Sequence, residues 1–283
     1  MMVKDLKFLQ AQKSKRKISM VTCYDYPTAV LLDHVDIDVV LIGDSVGTNV
    51  LGYHSEKEVT IEDILHHVKA VRRGISKAYV VADLPYQTYQ NPEMALQNAI
   101  KLQSAGADGI KLEGAHEEII HHLTSNGFEV WAHLGYNAQF QPKAAIQGKS
   151  FSEAKQLIID SIRIQQAGAK SLVLELVPEE VSSEITKKLR IPTIGIGAGR
   201  YTDGQVLVVH DLLGITPHSF RHAKKYANLR KDIFESFQLY IQDLQMSKFP
   251  TEAHFKHMHP DELKQFKMWL EDGIEFNQIK NKS

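Results

Sequence analysis

Cysteine is almost missing from this chain of 283 residues: Cys23 stands alone, so no intrachain disulfide can form. A reducing compartment is the simplest expectation. An excess of either charge is missing too. The 33 lysines and arginines face 34 aspartates and glutamates, a formal net charge of −1, so there is no broad cationic surface of the kind that nucleic acid or an anionic membrane demands. No stretch approaches the roughly 18 consecutive apolar residues of a membrane span. The segment Met1–Lys17 scatters five lysines and an arginine among its apolar residues; lacking a continuous apolar run and a small-residue cleavage site, it does not read as a secretory leader. Linkers and low-complexity segments are also absent. The expectation is a cytoplasmic protein forming one domain over 1–283, with neither nucleic acid nor membrane as partner.

What is present is alternation. Short apolar runs rich in β-branched residues recur at Ile18–Cys23, Val39–Ile42, Ala78–Ala82, Gly109–Leu112, Phe128–Ala132, Leu172–Leu174, Thr193–Ile196 and Val206–Val209. Each suits a strand buried on both faces. Amphipathic segments lie between them at Pro27–His34, Ile61–Gly74, Pro92–Ala105, Glu117–Asn126, Phe151–Ala167 and Pro178–Leu189. Thr60 with Asp63 reads as a capping box. Gly74, Gly106, Gly127 and Gly168 fall where left-handed helix ends are expected. The near repeats SAGADGIKLE and QAGAKSLVLE echo one βα unit. Strands separated by helices favour a parallel sheet, and eight of them favour an α/β fold of the (βα)8 TIM-barrel type over about 18–215. The last link is the poorest, because little helix fits between Gly199 and Val206. Beyond it, His218–Met246 and Pro260–Leu270 read as additional C-terminal helices over about 218–283, packed outside the barrel.

Polar groups gather at one end of these runs. Val39–Ile42 leads into Gly43, Asp44 and Ser45; Ala78–Ala82 into Asp83; Gly109–Leu112 encloses Lys111 and ends at Glu113. The next two runs end at His133 and Glu175. In a parallel barrel the strand C-termini share one mouth, so these side chains are expected to meet there. Carboxylates crowded together call for a hard cation with oxygen ligands, with Mg2+ the first candidate. Lys111 adds fixed positive charge for an anionic substrate. Taken singly, each residue has a plainer reading: Asp44, Asp83, Glu113 and Glu175 as helix caps or turn residues, Lys111 reaching over the rim, His133 as a structural histidine. Five successive strands ending alike make the plain reading poor. The glycines of Gly195–Gly199 read as a tight packing turn or a weak phosphate cradle. His254, His257 and His259 read as a solvated segment, His121 and His122 likewise, and Cys23 as an inert core residue.

The motifs TCYDYPTA (22–29), GDSVG (43–47), VTIEDILHHVKAVRRG (59–74), VVADLPY (80–86), IKLEG (110–114), AHLG (132–135), LVLELVP (172–178), IPTIGIGAG (191–199), DGQVLVVHDLLG (203–214) and FPTEAHF (249–255) resemble, in order and spacing, the ketopantoate hydroxymethyltransferase family of the phosphoenolpyruvate/pyruvate superfamily. The resemblance implies a barrel enzyme that moves a hydroxymethyl group from 5,10-methylenetetrahydrofolate to 3-methyl-2-oxobutanoate, giving 2-dehydropantoate on the way to pantothenate. It implies Asp44 and Asp83 as direct Mg2+ ligands, Glu113 holding metal-bound water, Ser45 and Lys111 at the substrate, Glu175 as general base and His133 near the substrate oxygens. It also implies a homo-oligomer. One segment departs from the family. After His133-Leu134-Gly135 the family has Thr-Pro-Gln and a Gly-Gly-Tyr-containing loop, whereas this chain reads Tyr136-Asn137-Ala138-Gln139 and then Phe140–Ile146 before Gln147-Gly148-Lys149, shorter by a few residues. Substrate choice and folate fit are the properties such a loop would alter. Two alternatives stand beside this reading: a metal-dependent lyase or hydrolase acting on another 2-oxo acid, and a non-catalytic binding subunit.

Overall fold

The computed structural model describes residues 3–141, 143–218 and 220–271, which divide into two compact units meeting in sequence at Leu229 and Arg230. The first unit opens with α1 (Leu6–Gln12) and then β1 (Ile18–Thr22), α2 (Tyr26–His34), β2 (Val39–Ile42), α3 (Ile61–Arg72), β3 (Tyr79–Asp83) and α4 (Pro92–Ala105). It continues through β4 (Gly109–Glu113), α5 (Glu117–Ser125), β5 (Glu129–Gly135), α6 (Phe151–Gln166), β6 (Ser171–Glu175), α7 (Glu179–Lys188), β7 (Thr193–Ile196), β8 (Gly204–Leu207) and α8 (Val209–Leu212). The eight strands pair in chain order, all parallel, and β1 pairs with β8 to close the barrel. The expected barrel is present.

Local chemistry sets many of the helix ends. Thr60 accepts from Asp63 N–H while the Asp63 side chain accepts from Thr60 N–H, starting α3; Ser150 and Glu153 do the same for α6. Asn91 caps α4 ahead of Pro92, whose missing N–H has no partner to lose at that position. Gly106, Gly127 and Gly168 have φ of 115°, 85° and 107°. Gly74 differs from expectation. It is not left-handed; its small size matters because a Cβ there would lie 2.8 Å from the Ala29 Cβ and 2.9 Å from the Tyr26 carbonyl. The weak link is as short as the sequence foretold: no helix stands between β7 and β8. One-turn α8 leaves the outer side of β1 and β8 open as a groove of about 470 Å3, with Val21, Ile37 and Leu212 in its lining.

Side chains alternate across each strand, and the register aligns one set of positions around the barrel interior. Ile18 and Met20, Val39 and Leu41, Tyr79 and Val81, Trp131, Val173, Ile194 and Val206 pack there with Leu9 of α1 as a stopper. Tyr79 and Trp131 stack at 5.9 Å. Gly109, between them, is required: a Cβ would meet the Tyr79 hydroxyl at 2.8 Å and the indole nitrogen of Trp131 at 3.0 Å. The base is further sealed by charge. Lys13 pairs with Asp203 at 2.7 Å, Ile18 N–H donates to the Asp203 carbonyl, and Arg16 forks onto both oxygens of Asp38 at 2.7 and 2.8 Å. The opposite strand faces form the larger core against the helices.

The second unit holds α9 (Leu229–Gln245) and α10 (Pro260–Glu271). The expected helix from His218 begins only at Leu229. Before it the chain makes turns, and the N–H groups of Tyr226 and Leu229 donate to the carbonyls of Leu212 and Leu213 at the end of α8. His254, His257 and His259 are exposed. His254 caps its own short turn at Thr251 and His257 pairs with Glu252 at 2.9 Å.

Candidate active site

The inward register that fills the barrel base with apolar side chains carries ionisable ones at the top. Asp83 follows Val81 by two residues, and Lys111 and Glu113 follow Gly109 by two and four. His133 follows Trp131, and Glu175 follows Val173. The strand pairing sets Asp83 beside Lys111 and Glu113 beside His133. Alternation therefore delivers five chemically active groups to one interior layer, and Asp44 reaches it from the turn after β2. Asp44, Asp83, Lys111, Glu113 and His133 are all buried; Glu175 is half-buried at the rim.

The contacts are specific. Lys111 Nζ donates to both Asp83 oxygens at 2.8 and 3.0 Å, so it does not reach over the rim to solvent. Asp44 N–H donates to Asp83 Oδ2 at 3.2 Å, joining the two aspartates. His133 lies between two acids, Nδ1 at 3.3 Å from Glu113 and Nε2 at 3.4 Å from Glu175. Alignment is too poor for either to count as a hydrogen bond, so both are ion pairs with room to tighten. Ser45 Oγ is 2.8 Å from the Tyr24 hydroxyl, whose ring stacks on His210.

Burial raises the Asp44 carboxyl well above the usual range, and Glu113 and Asp83 raise it further. Burial also raises Asp83, against the opposing pull of Lys111. Burial disfavours charge on His133, but Glu113 and Glu175 outweigh it and hold the imidazole up at about 9. Glu113 goes the other way: burial opposes its charge, yet His133 and Lys111 draw its carboxyl down. Lys111 is raised, its three acidic neighbours overcoming burial. Four acids thus face two bases, and Asp44 is the one whose charged form is least favoured.

Sequence reading missed Gln139. Its side chain is fully buried, with Nε2 donating to Asp44 Oδ2 at 2.8 Å and to the Leu84 carbonyl at 3.1 Å, and Oε1 accepting from the Tyr89 hydroxyl. Its backbone N–H donates to Glu113 Oε2 at 3.1 Å. An uncharged amide in a loop without periodicity gave no signal beyond its place in the altered segment. Tyr24 and Tyr89, buried under the same layer, were also missed.

The oxygen-rich donor set and its unbalanced negative charge suit a hard divalent cation. The fit has a limit: among the described residues, no three His, Cys, Asp or Glu side chains converge closely enough to hold a metal by themselves. Asp83 faces Lys111 and Asp44 faces Gln139, so any cation here must draw on water or substrate oxygens as well. The glycines at 195–199 make a packing turn: added Cβ atoms at Gly195 and Gly199 would strike Thr202 and Glu179 at 2.7 and 2.6 Å. Cys23 is fully buried, its thiol pushed up to about 12 by desolvation. Among the described residues no helix is long and apolar enough to cross a membrane.

Known proteins share both fold and sequence with this chain. Among solved structures, a phosphonopyruvate hydrolase in complex with oxalate and Mg2+ superposes with a TM-score of 0.62 at 11% identity, covering 96% of this chain and 98% of its own. A 2,3-dimethylmalate lyase of the PEP mutase/isocitrate lyase superfamily gives 0.57 at 14%, covering 96% and 100%. At such identities the likeness is one of fold. Sequence relatives are nearer. The 3-methyl-2-oxobutanoate hydroxymethyltransferase of Chloroflexus aurantiacus is 45% identical over 260 residues, spanning 90% of this chain and 92% of its own. That of Thermotoga maritima is 45% identical over 253 residues, spanning 87% and 94%. The family model described as ketopantoate hydroxymethyltransferase matches residues 3–252. On that match, with the barrel and the relatives behind it, this chain belongs to the ketopantoate hydroxymethyltransferase family of transferases.

Proposed function

We propose that this enzyme transfers a hydroxymethyl group from 5,10-methylenetetrahydrofolate to 3-methyl-2-oxobutanoate, with Mg2+ bound, and releases 2-dehydropantoate for pantothenate synthesis. The observation that carries the reading is the buried layer of Asp44, Asp83, Lys111, Glu113 and His133 with Glu175 at its rim, in a barrel of this family. Asp44 and Asp83 would hold the cation directly and Glu113 through water. When bound, the cation would polarise the 2-oxo group and acidify the neighbouring C–H. Glu175, the rim carboxylate, takes the C3 proton. His133, charged at neutral pH and set against Glu175, fixes that carboxylate and faces the substrate oxygens. Lys111 opposes the negative charge that builds on the keto oxygen, in a site where burial excludes water; Ser45 orients the substrate carboxylate. The C3 carbanion equivalent attacks the methylene carbon of the folate, both C–N bonds to that carbon break in turn, and water supplies the hydroxyl; the proton taken from C3 and one from water pass to the two nitrogens as tetrahydrofolate leaves.

The test is product formation from Mg2+, 3-methyl-2-oxobutanoate and methylenetetrahydrofolate, with Glu175→Gln as comparison. We expect 2-dehydropantoate from the wild type and a loss of 100-fold or more in kcat for the variant, the scale of a lost general base. Product at the variant's level from both proteins would overturn the reading. The altered segment after Gly135 favours one other reading, a lyase or hydrolase on a related 2-oxo acid; exchange of the C3 proton without folate-dependent product would select it. The lone buried cysteine supports a cytoplasmic setting. Self-association is supported by α9, which exposes Phe234, Phe237, Tyr240 and Ile241.

A further inference from the structure

Every hydrogen-bonding group of the Gln139 side chain is used, and two of its bonds, one from side chain and one from backbone, end on carboxylates of the site. The amide dipole points its positive end at Asp44 Oδ2, fixing one oxygen of that carboxylate. Tyr89 and the Leu84 carbonyl hold the amide from behind. A cluster with excess negative charge ordinarily splays its carboxylates apart; here one neutral donor restrains two of them at once. Gln139 also belongs to the segment joining β5 to α6, which is bound to the barrel at Tyr136 N–H, donating to the Glu175 carbonyl, and at Gln147 N–H, donating to the Leu176 carbonyl. Between those ties Phe140 packs at 5.9 Å from both Tyr86 and His116, while Lys143 and Ala144–Ile146 are exposed.

We propose that Gln139 is a positioning residue that latches the β5–α6 segment to Asp44 and Glu113, so that divalent-cation binding and the order of this segment reinforce each other. The proposal rests on the cation reading given above. The physical basis is linkage: if Gln139 holds Asp44 ready for a cation, the cation must equally hold Gln139, and with it the segment, in place. Carboxylates that bind metals depend on such outer hydrogen bonds, and losing one typically costs 10- to 100-fold in affinity.

Two readouts on the full chain test this without recourse to activity. Calorimetric titration with Mg2+ should show affinity lowered about 10- to 100-fold in Gln139→Leu, and less in Tyr89→Phe, which removes the hydroxyl that supports the amide and also reaches the Glu113 carbonyl at 3.3 Å. Limited trypsin cleavage after Lys143 should be slowed by Mg2+ in the wild type, and be fast and indifferent to Mg2+ in Gln139→Leu. Circular dichroism establishes that each variant is folded; if Gln139→Leu is not, Tyr89→Phe must show both shifts in the same direction. Mg2+ affinity unchanged in a folded variant, or cleavage after Lys143 equally slow with and without Gln139, overturns the latch. A wild type that binds no Mg2+ overturns the cation reading beneath it, which is a different result and is read directly from the first titration.

Discussion

Asp38 shows what one residue does at the quiet end of the barrel. Its side chain is 2% exposed and receives Arg16, the N–H and hydroxyl of Ser19, and Lys4 at 3.4 Å. Burial alone would raise this carboxyl, but Arg16 and Ser19 outweigh it and hold it down at about 2. The folded state therefore resists protonation that the unfolded chain accepts near 4. The stabilisation is fully present above that ordinary value and disappears as pH falls through about 2; the difference corresponds to about 2 kcal/mol. Urea unfolding between pH 5 and 2.5 should show the wild type losing stability more steeply than Asp38→Asn. Parallel slopes would show that Asp38 is not held as described. At the other end burial raises the Asp44 and Asp83 carboxyls, whereas His133 and Lys111 hold Glu113 down as Arg16 holds Asp38.

At the scale of elements, the joint between β5 and β6 is the tightest near the site. Gly135 has φ of 98°, and a Cβ there would fall 2.1 Å from the Glu175 carbonyl oxygen and 2.7 Å from Val177 Cγ2. Leu176, just beyond Glu175, is itself left-handed at 49°. Gly135→Ala must push these strand ends apart, at a cost of about 2 kcal/mol or more. It should lower kcat more than it weakens Mg2+ binding, because Glu175 moves while Asp44 and Asp83 do not. Equal losses in both would argue for general unfolding. Much at this scale was legible in the sequence. Lys111 and Glu113 are two apart, hence on one side of a strand, and the runs ending in Asp83, His133 and Glu175 announce a shared rim. Which acid each base would face was not legible, because strand register rather than spacing decides that Asp83 lies beside Lys111. Gln139 was hidden because its importance comes from contacts with Asp44 and Leu84, 95 and 55 residues away. The premature start expected for α9 had another cause: amphipathic spacing cannot show that the carbonyls of Leu212 and Leu213 would take the N–H groups of Tyr226 and Leu229.

For the molecule as a whole, α9 carries more exposed apolar surface than a solvated helix has use for. Phe234 is 62% exposed and Phe237 63%, and contiguous surface of this kind marks association. If copies of the chain cover it in one another, Phe234→Ser combined with Phe237→Ser should shift the sedimentation coefficient towards that of a smaller species. An unchanged coefficient would assign this face another role. The barrel's seam has a consequence for how the chain is made. Ile18 finds its strand partner only at Gly204, and Lys13 finds Asp203. During synthesis β1 must wait, one edge bare, until β8 has left the ribosome. Contacts so distant along the chain slow folding and lengthen exposure of the open edge. The stretch most vulnerable to misassociation in a nascent chain is therefore β1, whose bare edge the finished barrel closes on β8.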